Sequence, residues 1–103
     1  MSYVVINAID VPEGAGEALE GRFAQRAGQV SASPGFEAFE LLRPDNPEAG
    51  GRYFVYTRWA SKSDFEDWMS SRSFSEGHRH GGSQPVGTGS QVLAYEVIQS
   101  EYV

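Results

Sequence analysis

Not one of the 103 residues is cysteine, which excludes disulfide scaffolds, thiolate metal sites and cysteine nucleophiles and removes any positive sign of an oxidising compartment. Basic residues are also scarce. Eight Lys and Arg stand against fourteen Asp and Glu, for a net charge of −6. They are scattered, so no basic stripe can track a phosphate backbone, and nucleic acid is not an expected partner. Long apolar runs are missing as well. The opening MSYVVINAIDV is far shorter than the ~20 residues that span a bilayer. It lacks the basic start and small-residue cleavage site of a signal peptide, so the expected location is cytoplasmic with no membrane partner. The glycine-rich stretch Gly81 to Gly89 (GGSQPVGTG) has no phosphate-loop Lys-Ser/Thr ending and no Rossmann context, which argues against nucleotide binding. The carboxylates Glu37, Glu40, Asp64, Glu66 and Asp67 show no pairing that marks a glycosidase or a metal cluster.

What is present suits one folded domain over residues 1–103. Forty per cent of the chain is hydrophobic and 13% aromatic, ample for a core and unlike a disordered chain. A lone domain of this length buries a limited fraction of its surface, so oligomerisation is a further source of stability.

Tyr3 to Val11 is rich in Val and Ile and ends at Pro12, Gly14 and Gly16, which reads as a strand. Tyr3, Val5, Asn7 and Ile9 point one way, and Val4, Ile6 and Ala8 the other. A strand apolar on both faces is covered on both. From Glu17 to Ser31 the period changes to three and four, with Leu19, Phe23, Ala27 and Val30 forming one helical stripe. Ser33, Pro34 and Gly35 stop that helix. Phe36 to Arg43 and Arg52 to Trp59 read as strands of a hairpin around a polar, Pro- and Gly-rich turn. Ser63-Asp64-Phe65-Glu66 has the pattern of a capping box and opens a second helix, on which Phe65, Trp68 and Met69 share a face. A second such pattern, Ser73 to Glu76, opens a shorter helical turn with Phe74 and His78 four residues apart. Gln91 to Ile98 reads as the last strand.

The order β-α-β-β-α-β is the ferredoxin-like α+β plan, with both helices on one face of a four-stranded antiparallel sheet. Helices cover one face only. Phe54 and Tyr56 stand opposite Tyr53, Val55 and Trp59 on the third strand, so the second face also needs a cover. The economical cover is the same face of another copy, which predicts a homodimeric α+β barrel.

Few residues are candidates for chemistry. The only histidines are His78 and His80, flanking Arg79. Two residues apart, they do not share a helix face, which is poor spacing for joint chelation; they are either exposed residues at a helix end or a source of one axial imidazole for haem iron. Asn7 is a polar residue on an apolar face, where an amide without partners costs roughly 1–3 kcal/mol, so it meets either a core partner or a ligand atom. Trp68 is core or functional, with an indole N–H that needs a partner if buried. Arg22 and Arg26, four residues apart beside Phe23, are solvated charges or partners for acidic ligand groups.

Asn7, Trp68 and His78 together resemble the IsdG-like haem-degrading monooxygenases. The likeness runs nearly end to end. NAIDVPEGAGEALEGRFAQRA, SPGFEAFELLRP and RYFVYTRW look like mycobacterial members, and FEDWMSSRSFSEGHRH looks like the staphylococcal F-x-x-W…S-x-x-F-x-x-x-H pattern. The resemblance implies haem as both substrate and cofactor. His78 would be the proximal ligand through a neutral imidazole, with His80 as the rival. Asn7 would hydrogen-bond or orient oxygen on the distal side, and Trp68 would press on the macrocycle and ruffle it. Phe23, Phe65 and Phe74 become pocket-wall candidates, and Arg22 and Arg26 propionate or gate candidates. The implied reaction takes O2 and electrons from a reductase, opens the ring and releases iron. The chain departs from the mycobacterial pattern by one extra residue between Trp68 and the ligand segment and by the bulk of Phe74, which leaves one haem or two per pocket open. Two other readings fit the same fold: a cofactor-independent monooxygenase acting on a phenolic or quinol substrate, and a haem-binding protein without turnover.

Overall fold

Strand β1, Tyr3–Asp10, lies inside a sheet ordered β2-β3-β1-β4, in which β2 spans Phe36–Leu42, β3 Arg52–Trp59 and β4 Gly89–Glu96. Helix α1, Gly16–Gln25, joins β1 to β2, and α2, Lys62–Met69, follows β3. This computed structural model describes residues 2–25, 28, 32–70 and 89–103. Every strand pair is antiparallel, so the expected ferredoxin-like plan is the observed one. Among the described residues no helix is long and apolar enough to cross a membrane.

The pleat sorts the side chains as the alternation predicts. Tyr3, Val5, Asn7 and Ile9 stand opposite Trp59, Thr57, Val55 and Tyr53 of β3, and these eight share one face because directly opposed residues point the same way. Both helices pack there. Phe65 of α2 meets the rings of Tyr3 and Trp59, at centroid separations of 6.1 and 5.7 Å. Phe23 of α1 meets Phe39 at 6.0 Å. Leu19, expected on the α1 stripe, is buried; Ala27 and Val30 lie outside the described residues. The other face carries Ile6 opposite Tyr56 and Leu93, and Ala8 opposite Phe54. No described helix lies on it, and Leu42 and Tyr95, at its margins, are 43% and 53% exposed.

Two local expectations are corrected. The cap of α2 is Ser61 rather than Ser63: its extended backbone (φ −154°, ψ 163°) precedes Lys62, and its Oγ accepts from the Asp64 N–H at 3.2 Å. The Ala60 N–H donates to the Gly35 carbonyl at 2.7 Å; this ties down the exit of β3, so the helix begins at once and Asp64 takes the place expected of Glu66. Met69, at the edge of the face shared with Phe65 and Trp68, is 44% exposed rather than buried. Strand β4 runs Gly89–Glu96 rather than Gln91–Ile98, because its length is set by β1, whose Tyr3 and Asp10 pair with Glu96 and Gly89. Gly35 itself sits at φ +79°, and a Cβ there would run into the Asp64 side chain, so the turn before β2 needs glycine.

Candidate functional site

The helix-covered face has an aromatic end, a polar end and Asn7 between them. At the aromatic end, Trp59 is fully buried. The Trp68 ring lies 5.4 Å from it at an interplanar angle of 36°, and Phe36 and Phe65 approach it edge-on at 5.6 and 5.7 Å. Edge-to-face and tilted rings at such separations are favoured by the ring quadrupoles and stabilise by about 0.5–1.5 kcal/mol per pair beyond burial. Sequence reading named Phe65 and Trp68 but gave Trp59 no role beyond its strand, because a Trp on a strand carries no signal of which helix will cover it.

At the polar end, Tyr53 is buried and its hydroxyl donates to Glu20 Oε2 at 2.5 Å, while Arg43 donates from Nη2 to Oε1 at 2.5 Å and from Nε to Oε2 at 3.0 Å. The hydrogen bond from Arg43, and after it the one from Tyr53, hold the Glu20 carboxyl down at about 2, since both favour its charged form. The same carboxylate pushes the Tyr53 hydroxyl up. These residues line an open cleft of about 580 Å³ with Gly14, Gly16 and Glu17. Glu20, Arg43 and Tyr53 are paired with one another in it. The network was not legible in the sequence: Glu20, Arg43 and Tyr53 come from three elements and have no common spacing.

Asn7 differs. Its Oδ1 is buried and has no hydrogen-bond partner among the described residues, on the face it shares with Tyr3, Val5 and Ile9 as expected. Its neighbours across the sheet are Val55 and Val92; neither valine side chain offers a donor, and Val92 is 65% exposed. The unmet acceptor therefore lies beside an apolar surface that the described residues leave open. Trp68 and Phe23 come from the two helices over the same face. Arg22 is half-buried on α1 and engaged with a partner. Arg26, Phe74, His78 and His80 lie outside the described residues, so the structure brings Asn7, Trp68, Phe23 and Phe65 to one face and is silent on the other four. Among the described residues there is no group of three or more His, Asp or Glu that would hold a metal ion.

The sequence pattern of the antibiotic biosynthesis monooxygenase family matches residues 2–80. A heme oxygenase (mycobilin-producing) of Mycobacterium tuberculosis is 48% identical over 100 residues, 95% of this chain and 90% of that one. A heme-degrading monooxygenase of Bacillus thuringiensis is 35% identical over 82 residues, 80% of this chain and 76% of that one. Among solved structures, the heme-degrader MhuD of M. tuberculosis with two hemes bound in its active site superposes with a TM-score of 0.84 at 45% identity, covering 97% of this chain and 99% of that one.

Proposed function

This chain belongs to the antibiotic biosynthesis monooxygenase family, and from that premise we propose that it is a haem-degrading monooxygenase, opening the porphyrin ring and releasing iron with O2 and electrons from a reductase. The observation that carries the reading is the buried, unpartnered oxygen of Asn7. A buried acceptor left unmet costs about 1–3 kcal/mol, and such groups in native folds call for an explanation such as a ligand. The relatives whose names specify heme degradation support the same reading.

The described residues fit a porphyrin, which is a flat apolar disc with a polar centre. Trp68 and Phe23 supply aromatic surface, and Asn7 supplies one polar group within an apolar face. Bound haem supplies the iron at which O2 is activated and the ring that is opened. Asn7 holds and orients a polar ligand atom on the distal side. Its carboxamide offers an acceptor and two donors, exchanged by a half-turn of χ2. The Trp68 indole would lie against the macrocycle and so would help select where the ring is attacked. His78, which lies outside the described residues, would hold the iron through a neutral imidazole. Arg22 and Arg26 would pair with the propionates, and Phe23, Phe65 and Phe74 would serve as the wall, Arg26 and Phe74 being outside the described residues. The protein acts in the cytoplasm as a homodimer, the open sheet faces of two copies packing together. Support for the dimer comes from Ile6, Phe54 and Tyr56, whose apolar surface no described helix covers.

The test is a titration of wild type and His78→Ala with hemin, followed by the Soret band, and then addition of ascorbate with catalase under air. The expected result is saturable binding by wild type, loss of that binding in His78→Ala, and Soret decay with iron release. Absence of a saturable Soret shift in wild type overturns the reading in favour of a cofactor-independent oxygenase. Saturable binding without decay overturns it in favour of a haem-binding protein without turnover.

A further inference from the structure

The reading above depends on where the Trp68 ring sits, and a chain of buried contacts leads from that ring to the strand that carries Asn7. Trp59 lies against Trp68 at 5.4 Å. The Trp59 ring is confined by Phe36 and Phe65 at its edges and is fully buried. Its indole N–H donates to Thr57 Oγ1 at 3.1 Å, and the Thr57 hydroxyl in turn donates to the backbone carbonyl of Val5 at 3.2 Å. Val5 precedes Asn7 by two residues, so both point to the same face of β1.

We propose that Thr57 and Trp59 are positioning residues that hold the Trp68 indole at a fixed place relative to β1, and therefore relative to Asn7. This rests on the haem-degrading reading for its consequence in turnover, though not for the brace itself. Any buried indole N–H needs an acceptor; what distinguishes Trp59 is that its acceptor, Thr57, is itself bonded to β1 through Val5. Here the hydroxyl fixes the indole through the N–H, two edge-on rings block its rotation, and its remaining surface meets Trp68. The hydroxyl accepts from Trp59 and gives its one proton to Val5. Asn7 and Trp68 come from different elements, and this brace gives them one reference point. A shift of ~1 Å in a group that orients a reaction costs up to on the order of a hundredfold in rate, so a support that prevents it has a kinetic consequence.

The test uses haem-free protein labelled with 5-fluorotryptophan. The chain has two Trp residues and gives two fluorine resonances, assigned with Trp59→Phe and Trp68→Phe. Thr57→Val keeps both rings and nearly the same shape, and removes only the hydroxyl. The expected result is that both resonances shift or broaden, that of Trp68 included. A Trp68 resonance unchanged in Thr57→Val overturns the brace. Should Thr57→Val fail to fold, Trp59→Phe serves, because it leaves no orphaned indole donor and Thr57 still bonded to Val5; its Trp68 resonance is expected to move from the wild-type position, and an unmoved one overturns the brace. In haem-loaded protein both variants are expected to lower kcat for haem loss by about tenfold or more with KM within about threefold, whereas an unchanged kcat, or a loss confined to KM, counts against the positioning role. A wild type that binds no hemin would sink the haem reading alone, since the fluorine experiment judges the brace without it.

Discussion

Replacing Asn7 by Val is expected to make the haem-free protein more stable and the enzyme inactive. Position 7 lies on a central strand between Val55 and Val92, a site whose neighbours suit a β-branched side chain. The wild-type residue leaves Oδ1 buried and unpaired, a cost of about 1–3 kcal/mol, and Asn is disfavoured in strands relative to Val on a scale that spans ~1 kcal/mol. Offsetting this, the variant gives up whatever the carboxamide N–H2 gains in place. A net stabilisation of ~1 kcal/mol is the expected balance. With ~2.1 cal/mol/K of unfolding entropy per residue, 103 residues give roughly 0.2 kcal/mol/K, so Tm rises by about 5 °C. Urea titration of the haem-free protein should show a higher midpoint at unchanged slope, which identifies a change in stability rather than in the unfolded ensemble. Turnover of hemin with ascorbate should be lost in the same variant. A haem-free Asn7→Val that is less stable than wild type by ~1 kcal/mol would refute the reasoning, because the carboxamide would then be a structural bond and not a ligand group.

Two further predictions concern parts of the molecule away from Asn7. Glu20 is held at about 2, against 4.5 for a free carboxyl, first by the Arg43 hydrogen bond and then by that of Tyr53. A folded-state value below the unfolded one means stability present above pH 4.5 and lost progressively as pH falls toward 2. Stability of Glu20→Gln should therefore fall less steeply over that window, most clearly at low salt, since the Arg43 side chain is 70% exposed and the pair is screened; parallel curves for variant and wild type would contradict the assignment. Ile6→Glu places a carboxylate in the middle of the open sheet face, beside Tyr56 and Leu93. Burying it against a second copy without a counter-charge costs several kcal/mol, so light scattering after size exclusion should report a monomer, and a variant that stays dimeric would show that this face is not the interface.

Much of this could be read from the residues in order. The alternation in Tyr3–Asp10, the three-and-four spacing through Leu19 and Phe23, and the Pro- and Gly-rich punctuation at Pro34-Gly35 and Pro44 to Gly51 are local signals, each decided within a few residues by pleat, helix pitch or turn chemistry. They placed four strands and two helices in the right order and put Asn7 on the same face as Tyr3, Val5 and Ile9. The errors were local as well. Two serines two residues apart offered competing caps for α2, and the choice fell to the Ala60–Gly35 hydrogen bond, a contact 25 residues apart in sequence that no window around Ser61 contains.

The sequence by itself determined the architecture, because side-chain period is a property of a short stretch of chain, while Asn7 and Trp68, on which the proposed chemistry turns, were singled out through the likeness to the IsdG-like enzymes. Only the tertiary structure decided that the Asn7 oxygen goes unmet, that Glu20, Arg43 and Tyr53 join in one network, and that Thr57 and Trp59 connect Val5 to Trp68. Hydrogen-bond satisfaction and ring packing depend on distances between atoms brought together by strand register and helix docking, and chain order does not encode those distances one residue at a time.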